Sequence, residues 1–343
     1  GGLVQPLAAG GLAENPETKR RLKNLMDVTG ITKDLDMQSS NPASMKDLLA
    51  VHPKKYLEEF KALSDIDGGL LGLRTPFARG GFDIAALSSG LAISAISDVL
   101  KGKYKNSYSL SRPPGHHCLP DYPNGFCLLA NIAVAIEHSI KNKLGKKFCV
   151  IDWDVHHGNG TEAIFYNRND VLTISIHQER NYPVDTGMET HQGKQEGLGY
   201  NVNLPLPAGS GHQAYLNLFD RVIDPIVSNY SPDIIIVACG FDAAMIDPLS
   251  SMLCSAETFR LLTRKAQKLA DEQCNGKLAL VHEGGYSEVY VPFCGHAVLE
   301  ELSGSQIIAK DPYEELFNLR QPGSRFENMI NEVLNDWEEL FLK

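Results

Sequence analysis

Short apolar stretches constrain the fold of this sequence most, because several of them are apolar at every position rather than at alternate positions. Residues 148–151 read Phe-Cys-Val-Ile and residues 234–237 read Ile-Ile-Ile-Val. Strands that are covered on both faces have this composition, as in a parallel sheet with helices on each side. The sequence predicts strands at residues 106–111, 148–155, 171–177, 201–206, 233–239 and 277–282.

Stretches with helical periodicity separate the predicted strands. Such patterns cover residues 82–100, 259–269 and 326–341, and another apolar helix is expected to begin near Phe126. We expect residues 311–343 to form helices that dock on the core, and residues 1–14 to be a partial N-terminal segment. Because strands and helices alternate without a repeat or a linker, the sequence predicts a single three-layer α/β domain with a mainly parallel sheet over residues 1–343.

The charge balance and the cysteines narrow the class of protein. With 32 basic and 42 acidic residues the formal net charge is −10, which argues against a nucleic-acid partner. No apolar run approaches the ~20 residues of a membrane span, so we expect no membrane partner. The seven cysteines form no CxxC pair, which favours a reducing, cytoplasmic location. These features do not decide whether the protein is exported as an effector or which oligomeric state it has.

Acidic and imidazole side chains gather where predicted strands end. Asp152, Asp154 and His156 follow one apolar run at every second position, and Asp242 follows another. On a strand this spacing places the first three side chains on one face, and the carboxyl ends of parallel strands meet at one edge of the sheet. Crowded carboxylates repel one another unless a cation lies between them. The sequence therefore predicts a divalent metal held by Asp154, His156 and Asp242, with one position left open for water.

Two further motifs follow predicted strands. His116 and His117 come after an Arg-Pro-Pro-Gly turn, and a neutral imidazole near a metal-bound water is a suitable general base. Tyr286 ends a Glu-Gly-Gly-Tyr motif whose glycines let the backbone approach a ligand. Taken alone, such histidines are usually exposed and such a tyrosine usually packs in the core. Beside a metal, however, the tyrosine hydroxyl can stabilise an oxyanion.

Six motifs, found in this order, carry a resemblance to a known family. They read RPPGHH, NGFCLLANIAVA, VIDWDVHHGNGT, ISIHQ, CGFDAA and HEGGY. The sequence thereby resembles the histone deacetylase family of the arginase/deacetylase fold, and more closely its class II and bacterial amidohydrolase-like members. The resemblance implies one α/β domain around a parallel sheet of about eight strands. It also implies a metal-dependent enzyme that hydrolyses the amide of acetyl-lysine or of a similar acyl-amine.

The resemblance also assigns roles to individual residues. The zinc ligands are matched by Asp154, His156 and Asp242; the catalytic positions by His116, His117, Asp152, Asn159 and Tyr286; and the walls of the substrate tunnel by Gly125, Phe126 and Tyr182. Two carboxylates and an imidazole also suit Fe²⁺ or Co²⁺. Asn159 is the class II residue at its position, and a neutral amide there leaves His117 more of its free base than a carboxylate would.

Two potassium ions with a structural role are implied as well. The first potassium site is matched by Asp152, Asp154, His156, Ser175 and Ile176, and the second by Phe165, Arg168, Val171 and Tyr200. Many of these contacts are backbone carbonyls in the family, so the residue types alone do not mark them.

Alternatives remain open beside a zinc-dependent deacetylase of protein or peptide acetyl-lysine. The acetylpolyamine amidohydrolases are close relatives, which makes acetylated small amines alternative substrates. A binuclear-manganese ureohydrolase on the same fold needs further carboxylate and histidine ligands for a second metal, and Asn159 stands where one of them would help. A catalytically silent acyl-lysine binder has no use for the full set of ligands, histidines and tyrosine.

Overall fold

Parallel strands form the centre of the molecule. The structure is a computed structural model that describes residues 12–343. Its strands are β1 (Gly68–Leu70), β2 (Pro76–Ala78), β3 (Asn106–Ser109), β4 (Phe148–Asp152), β5 (Val171–Gln178), β6 (Asn201–Leu206), β7 (Ile234–Cys239) and β8 (Leu278–His282). Six of them form one sheet in the order β3-β8-β7-β4-β5-β6, and every adjacent pair is parallel. Each apolar run that predicts a strand therefore forms one.

The sheet has fewer strands than the family resemblance implies. Within residues 12–343 the parallel sheet has six strands rather than about eight, and β1 and β2 form a separate antiparallel pair. Only residues 71–75 join β1 to β2, whereas a parallel crossover needs a dozen residues or more. The expected strand number is wrong for the described residues, while the single α/β domain with a parallel sheet is confirmed.

Helices cover both faces of this sheet. They are α1 (Glu17–Thr29), α2 (Met45–Leu48), α3 (Lys54–Ile66), α4 (Gly81–Leu100), α5 (Asn131–Lys141), α6 (Asn159–Phe165), α7 (His212–Leu218), α8 (Asp224–Tyr230), α9 (Ala256–Cys274), α10 (Val291–Ser303), α11 (Glu314–Leu319) and α12 (Ser324–Phe341). Cys149 and Ile151 of β4 pack in the core cluster that includes α9, α10 and α12. Phe148 and Val150 pack in the cluster with α4 and α5. Alternate residues of one strand thus enter opposite layers, as the continuous apolar run predicts.

The strand register brings three loops to one edge of the sheet. Asp152, the last residue of β4, lies opposite Ala238 of β7, and Cys239 of β7 lies opposite His282 of β8. The segments that follow β4, β7 and β8 therefore begin side by side. This is the edge at which open parallel sheets bind their ligands.

Two local predictions fail near this edge. β4 ends at Asp152 rather than continuing to residue 155, so Asp154 and His156 lie in a loop and not on a strand face. The helix expected near Phe126 begins at Asn131. Phe126 itself has a φ of 67°, a left-handed conformation that cannot continue into a helix.

Two further expectations concern α12 and α4: that the C-terminal helices dock on the core, and that no apolar run has the length of a membrane span. Ile330, Leu334 and Trp337 of α12 are buried in the core, as the periodicity of that segment predicts. α4 is the one helix of residues 12–343 with the length and hydropathy of a membrane span, and 61% of its most apolar window is buried inside the protein. The sequence-based expectation overlooked this run. Its length and composition are also those of a core helix, and α4 packs against α5.

Candidate active site

Three predicted metal ligands come together in a buried cluster beyond the carboxyl ends of β4 and β7. One ligand atom from each of Asp154, His156 and Asp242 lies within 4.8 Å of the others. His156 Nδ1 is 3.1 Å from both Asp154 Oδ1 and Asp242 Oδ2. Both aspartates are fully buried, and His156 is 5% exposed. The loop after β4, rather than a strand face, brings Asp154 and His156 together.

Backbone N–H groups orient the two carboxylates of this cluster. The N–H of Gly284 donates to Asp154 Oδ2 at 2.8 Å, and the N–H of Val155 donates to Asp242 Oδ1 at 2.7 Å. Each carboxylate therefore has one oxygen held by the backbone and the other turned towards His156. Such outer contacts fix ligand geometry in metal sites.

The charges of the cluster favour a bound cation. Burial lowers the pKa of His156, but hydrogen bonds from its ring to Asp154 and Asp242 outweigh burial and raise the pKa to about 10. Burial and the charge of Asp154 raise the pKa of Asp242 to about 6. A divalent ion bound to one imidazole and two carboxylates would replace the proton that these groups otherwise attract. The residues present therefore fit the metal that the sequence predicts.

His116 and Asp152 form a buried pair beside this cluster. His116 Nδ1 lies 2.9 Å from Asp152 Oδ2, and both side chains are buried. Burial lowers the pKa of His116, but the carboxylates of Asp154 and Asp152 outweigh it and hold the pKa well above its usual value. These two carboxylates therefore favour the imidazolium form of His116.

His117 has the opposite protonation preference. Its Nδ1 lies 2.8 Å from Asn159 Oδ1, so Nδ1 carries the proton and Nε2 is left as a free base. Burial and the positive charge of His116 and His156 hold the pKa of His117 well below its usual value. Adjacent histidines with pKa values displaced in opposite directions are the arrangement expected of a general acid and a general base.

Tyr286 lies beside the cluster, close to His156. Its ring centroid is 6.2 Å from that of His156, and its N–H donates to Asp247 Oδ2 at 2.7 Å. Gly284 makes this approach possible, because a Cβ at that position would lie 2.3 Å from Asp242 Oδ2 and 2.6 Å from Asp154 Oδ2. Asp247, which follows the metal loop, thus has a structural role: it holds the backbone of the tyrosine.

The predicted tunnel residues line a cavity of about 80 Å³ that leads to the histidines. Its walls are Arg74, His117, Gly125, Phe126, His156, Asn181, Tyr182 and Leu249. The Tyr182 ring lies edge-on to His117 at 5.1 Å between centroids, and its hydroxyl donates to Asn124. Only glycine fits at position 125, since a Cβ there would lie 2.4 Å from His117 Cδ2. All three tunnel residues named from the sequence therefore surround one entrance.

The residues of the first potassium site are neighbours in the structure. Asp152 and Ser175 lie opposite each other in the β4–β5 ladder, and Ile176 follows on β5. In the second site, the carbonyl of Phe165 accepts from the N–H of Arg168, and the carbonyl of Tyr200 accepts from the N–H of Thr173. Both potassium sites stay predictions.

A cavity larger than this entrance lies elsewhere among the described residues. It has a volume of about 450 Å³ between residues 34–40, α4 and β3, and it contains none of the predicted site residues.

Sequence reasoning missed a group of charged residues beneath the active site. Glu283 Oε2 accepts from the N–H groups of Gly115 and His116 at 2.6 and 3.1 Å, so it fixes the loop that carries the two histidines. Lys19 Nζ donates to the Glu283 carbonyl at 3.0 Å. The only available signal was the position of Glu283 within the HEGGY motif.

Comparison with known protein families identifies the family of this chain. The model of the histone deacetylase domain matches residues 12–302, and the chain therefore belongs to the histone deacetylase family. It is 51% identical over 336 residues to the histone deacetylase-like amidohydrolase of Pseudomonas aeruginosa, a match that covers 98% of this chain and 88% of that protein. A probable deacetylase of Archaeoglobus fulgidus is 35% identical, with 93% of this chain and 86% of that protein covered.

Comparison with a solved structure supports the fold. The crystal structure of the HDA15 HD domain superposes with a TM-score of 0.86 and 29% sequence identity, covering 99% of this chain and 92% of that one. The family, the fold and the class of enzyme, a hydrolytic deacetylase, are thus confirmed.

Proposed function

We propose that this chain is a zinc-dependent deacetylase of N-acetyl-lysine side chains in proteins or peptides. The observation that carries the proposal is the pair His116 and His117, whose pKa values are displaced in opposite directions beside one three-ligand cluster. Amide hydrolysis needs a base to deprotonate the attacking water and an acid to protonate the leaving amine. A metal polarises the amide carbonyl and lowers the pKa of water, which is the chemistry that zinc supplies in this position.

The side chains of this chain have separate tasks in the proposed reaction. His117 Nε2 accepts the proton of the attacking water, while Asn159 keeps the other nitrogen protonated. His116, oriented by Asp152, holds the positive charge that helps deliver a proton to the leaving amine. The Tyr286 hydroxyl donates to the carbonyl oxygen as negative charge develops on it. Gly125, Phe126 and Tyr182 enclose the lysine side chain and exclude water.

The entrance favours acetyl-lysine over acetylated polyamines. Polyamines carry further ammonium groups beyond the acetylated nitrogen, and these would lie near the mouth of the cavity. Arg74 lines that mouth, with its guanidinium 5.9 Å from the centroid of the Tyr182 ring, and no acidic residue is among the described residues of the cavity wall. A cation at the mouth repels a second cation.

The electrostatic argument is tested with two substrates and one reversed charge. Protein freed of metal by a chelator and reloaded with one equivalent of Zn²⁺ is expected to regain turnover of a fluorogenic acetyl-lysine peptide. It is expected to act on an acetylated polyamine much more slowly. Arg74→Glu should raise the polyamine rate relative to the peptide rate, whereas Arg79→Glu, at an exposed arginine outside the cavity, should leave the ratio unchanged.

Three results would contradict the proposal. Full activity of the metal-free protein would exclude the metal-dependent reaction. A wild-type preference for the polyamine would reverse the assignment of the substrate. A requirement for two Mn²⁺ ions together with urea release from a guanidino substrate would identify the ureohydrolase alternative.

A further inference from the structure

A second group of ligating side chains lies next to the first, and no part of the proposed reaction uses it as a set. His116, Cys127 and Glu283 are all buried, and one ligand atom from each lies within 4.8 Å of the others. His116 Nε2 is 3.7 Å from Asp154 Oδ1, so the two clusters are neighbours. We propose that His116, Cys127 and Glu283 form an inhibitory site for a second, thiophilic divalent cation such as Zn²⁺ or Cd²⁺.

Each of these side chains has a potential ligand atom without a strong hydrogen bond, and this points to a bound ion. Glu283 is fully buried, and its Oε1 has no hydrogen-bond partner among the described residues, although Oε2 accepts two backbone N–H groups. His116 uses Nδ1 for Asp152, so Nε2 is the nitrogen that an ion would bind in place of a proton. Cys127 Sγ has only weak contacts, at 3.4 Å to the N–H of His117 and to the carbonyl of Gly125. An unpaired buried carboxylate oxygen is costly, and a cation would remove that cost.

The donor set selects the kind of ion. One thiolate, one imidazole and one carboxylate suit Zn²⁺ and Cd²⁺, whereas Mg²⁺ and Mn²⁺ prefer oxygen ligands. The Cys127 thiol and His116 Nε2 each release a proton to solvent when the ion binds. Lys19 contributes a positive charge close to Glu283, which opposes a further cation. The second ion is therefore bound more weakly than the ion held by Asp154, His156 and Asp242.

Occupation of this site would stop turnover. An ion on Nε2 of His116 occupies the nitrogen through which this histidine assists the leaving amine, so the acid function is lost while the first metal stays bound. The chain is thus expected to be active with one equivalent of zinc and inhibited by excess zinc. The inference rests on the proposed function only for the inhibition; the binding of the second ion does not depend on it.

Spectroscopy measures the binding of the second ion separately from its inhibition of turnover. Protein loaded with one equivalent of Zn²⁺ is titrated with Co²⁺ while the thiolate-to-cobalt charge-transfer absorption is recorded, because the first site contains no thiolate. The wild type and Cys118→Ser, a control at another buried cysteine, should develop the band. Cys127→Ser should not, and its apparent dissociation constant for inhibitory Zn²⁺ should rise by about 10–100-fold or more.

A second variant tests the same site in case Cys127→Ser fails to fold. Glu283→Gln removes the carboxylate ligand and should weaken the band as well, with hydroxamate binding used to confirm that the first site is intact. No thiolate band in the wild type, or the same band in Cys127→Ser, would overturn the proposal. A wild type that is inactive at one equivalent of zinc but still develops the band would instead count against the proposed function.

Discussion

Two buried charged clusters lie beneath the same edge of the sheet, and they are neutralised in opposite ways. In the metal-ligand cluster, Asp154 and Asp242 share the imidazole of His156, and His116 lies 3.7 Å from Asp154. In the neighbouring N-terminal cluster, which we define as Glu14, Lys19, Arg112 and Glu283, the chain supplies its own cations. The first cluster has no cationic side chain of Lys or Arg among its ligands, whereas in the second the Glu14 carboxylate is paired with Arg112 and only Glu283 Oε1 has no partner among the described residues.

The N-terminal cluster has the contacts of a structural clamp. Arg112 donates to both carboxylate oxygens of Glu14, at 2.8 and 3.0 Å. Their side chains are 11% and 3% exposed. Burial holds the pKa of Lys19 below its usual value, yet its Nζ still donates to the carbonyl of Glu283. A buried ion pair of this kind ties α1 to the loop that carries the catalytic histidines.

The largest expected effect breaks the metal-ligand cluster alone. Asp242→Asn should abolish tight metal binding and deacetylation, because an amide is a poorer ligand than a carboxylate. The metal-free variant should melt no lower than the metal-free wild type at pH 8, since the substitution removes one of two buried like charges. Metal content and melting temperature are the measurements, and a variant that retains one tightly bound zinc would contradict the ligand assignment.

The second effect breaks the N-terminal cluster and should appear in stability. Arg112→Met leaves the Glu14 carboxylate buried without a partner, which costs about 3–5 kcal/mol in the free energy of unfolding. The double variant Glu14→Leu with Arg112→Met should recover most of that loss, because replacement of a whole buried pair is often neutral. Urea unfolding curves give the comparison. Equal stability of the single and double variants would show that the pair does not act as a unit.

The two clusters also differ in how far the sequence reveals them. Asp154, His156 and Asp242 directly follow apolar strands, so parallel topology alone places them at one edge. The reasoning from strand spacing was wrong in detail, since β4 ends at Asp152 and a loop brings the ligands together. Glu14 reaches Arg112 across 98 positions of the chain. No local pattern encodes such a contact, because it depends on how α1 docks.

The neighbourhood of Tyr286 shows the same limit. The Gly-Gly-Tyr motif predicts a close approach of the backbone, and a Cβ at position 284 would indeed overlap the Asp242 carboxylate. The roles of Asp247 and Glu283, which hold the backbone of Tyr286 and of His116, are not visible in the motif. Residue types that react with substrate are recognisable in sequence, whereas residues that orient them are identified by their contacts.

The smallest expected effect sharpens the comparison by adding a charge next to the first cluster. Asn159→Asp replaces the amide oxygen that accepts from His117 Nδ1 at 2.8 Å with a carboxylate. An opposite charge at this distance favours the imidazolium and raises a pKa by about 1–3 units. Since catalysis needs the neutral form of His117, the acidic limb of the kcat/KM profile should move to higher pH in the variant. Asn181→Asp adds the same charge at the cavity wall without contacting His117, and it should move the limb much less. Equal shifts in the two variants would mean that the limb reports the overall field of the entrance, and an unchanged limb in Asn159→Asp would remove His117 as the titrating base.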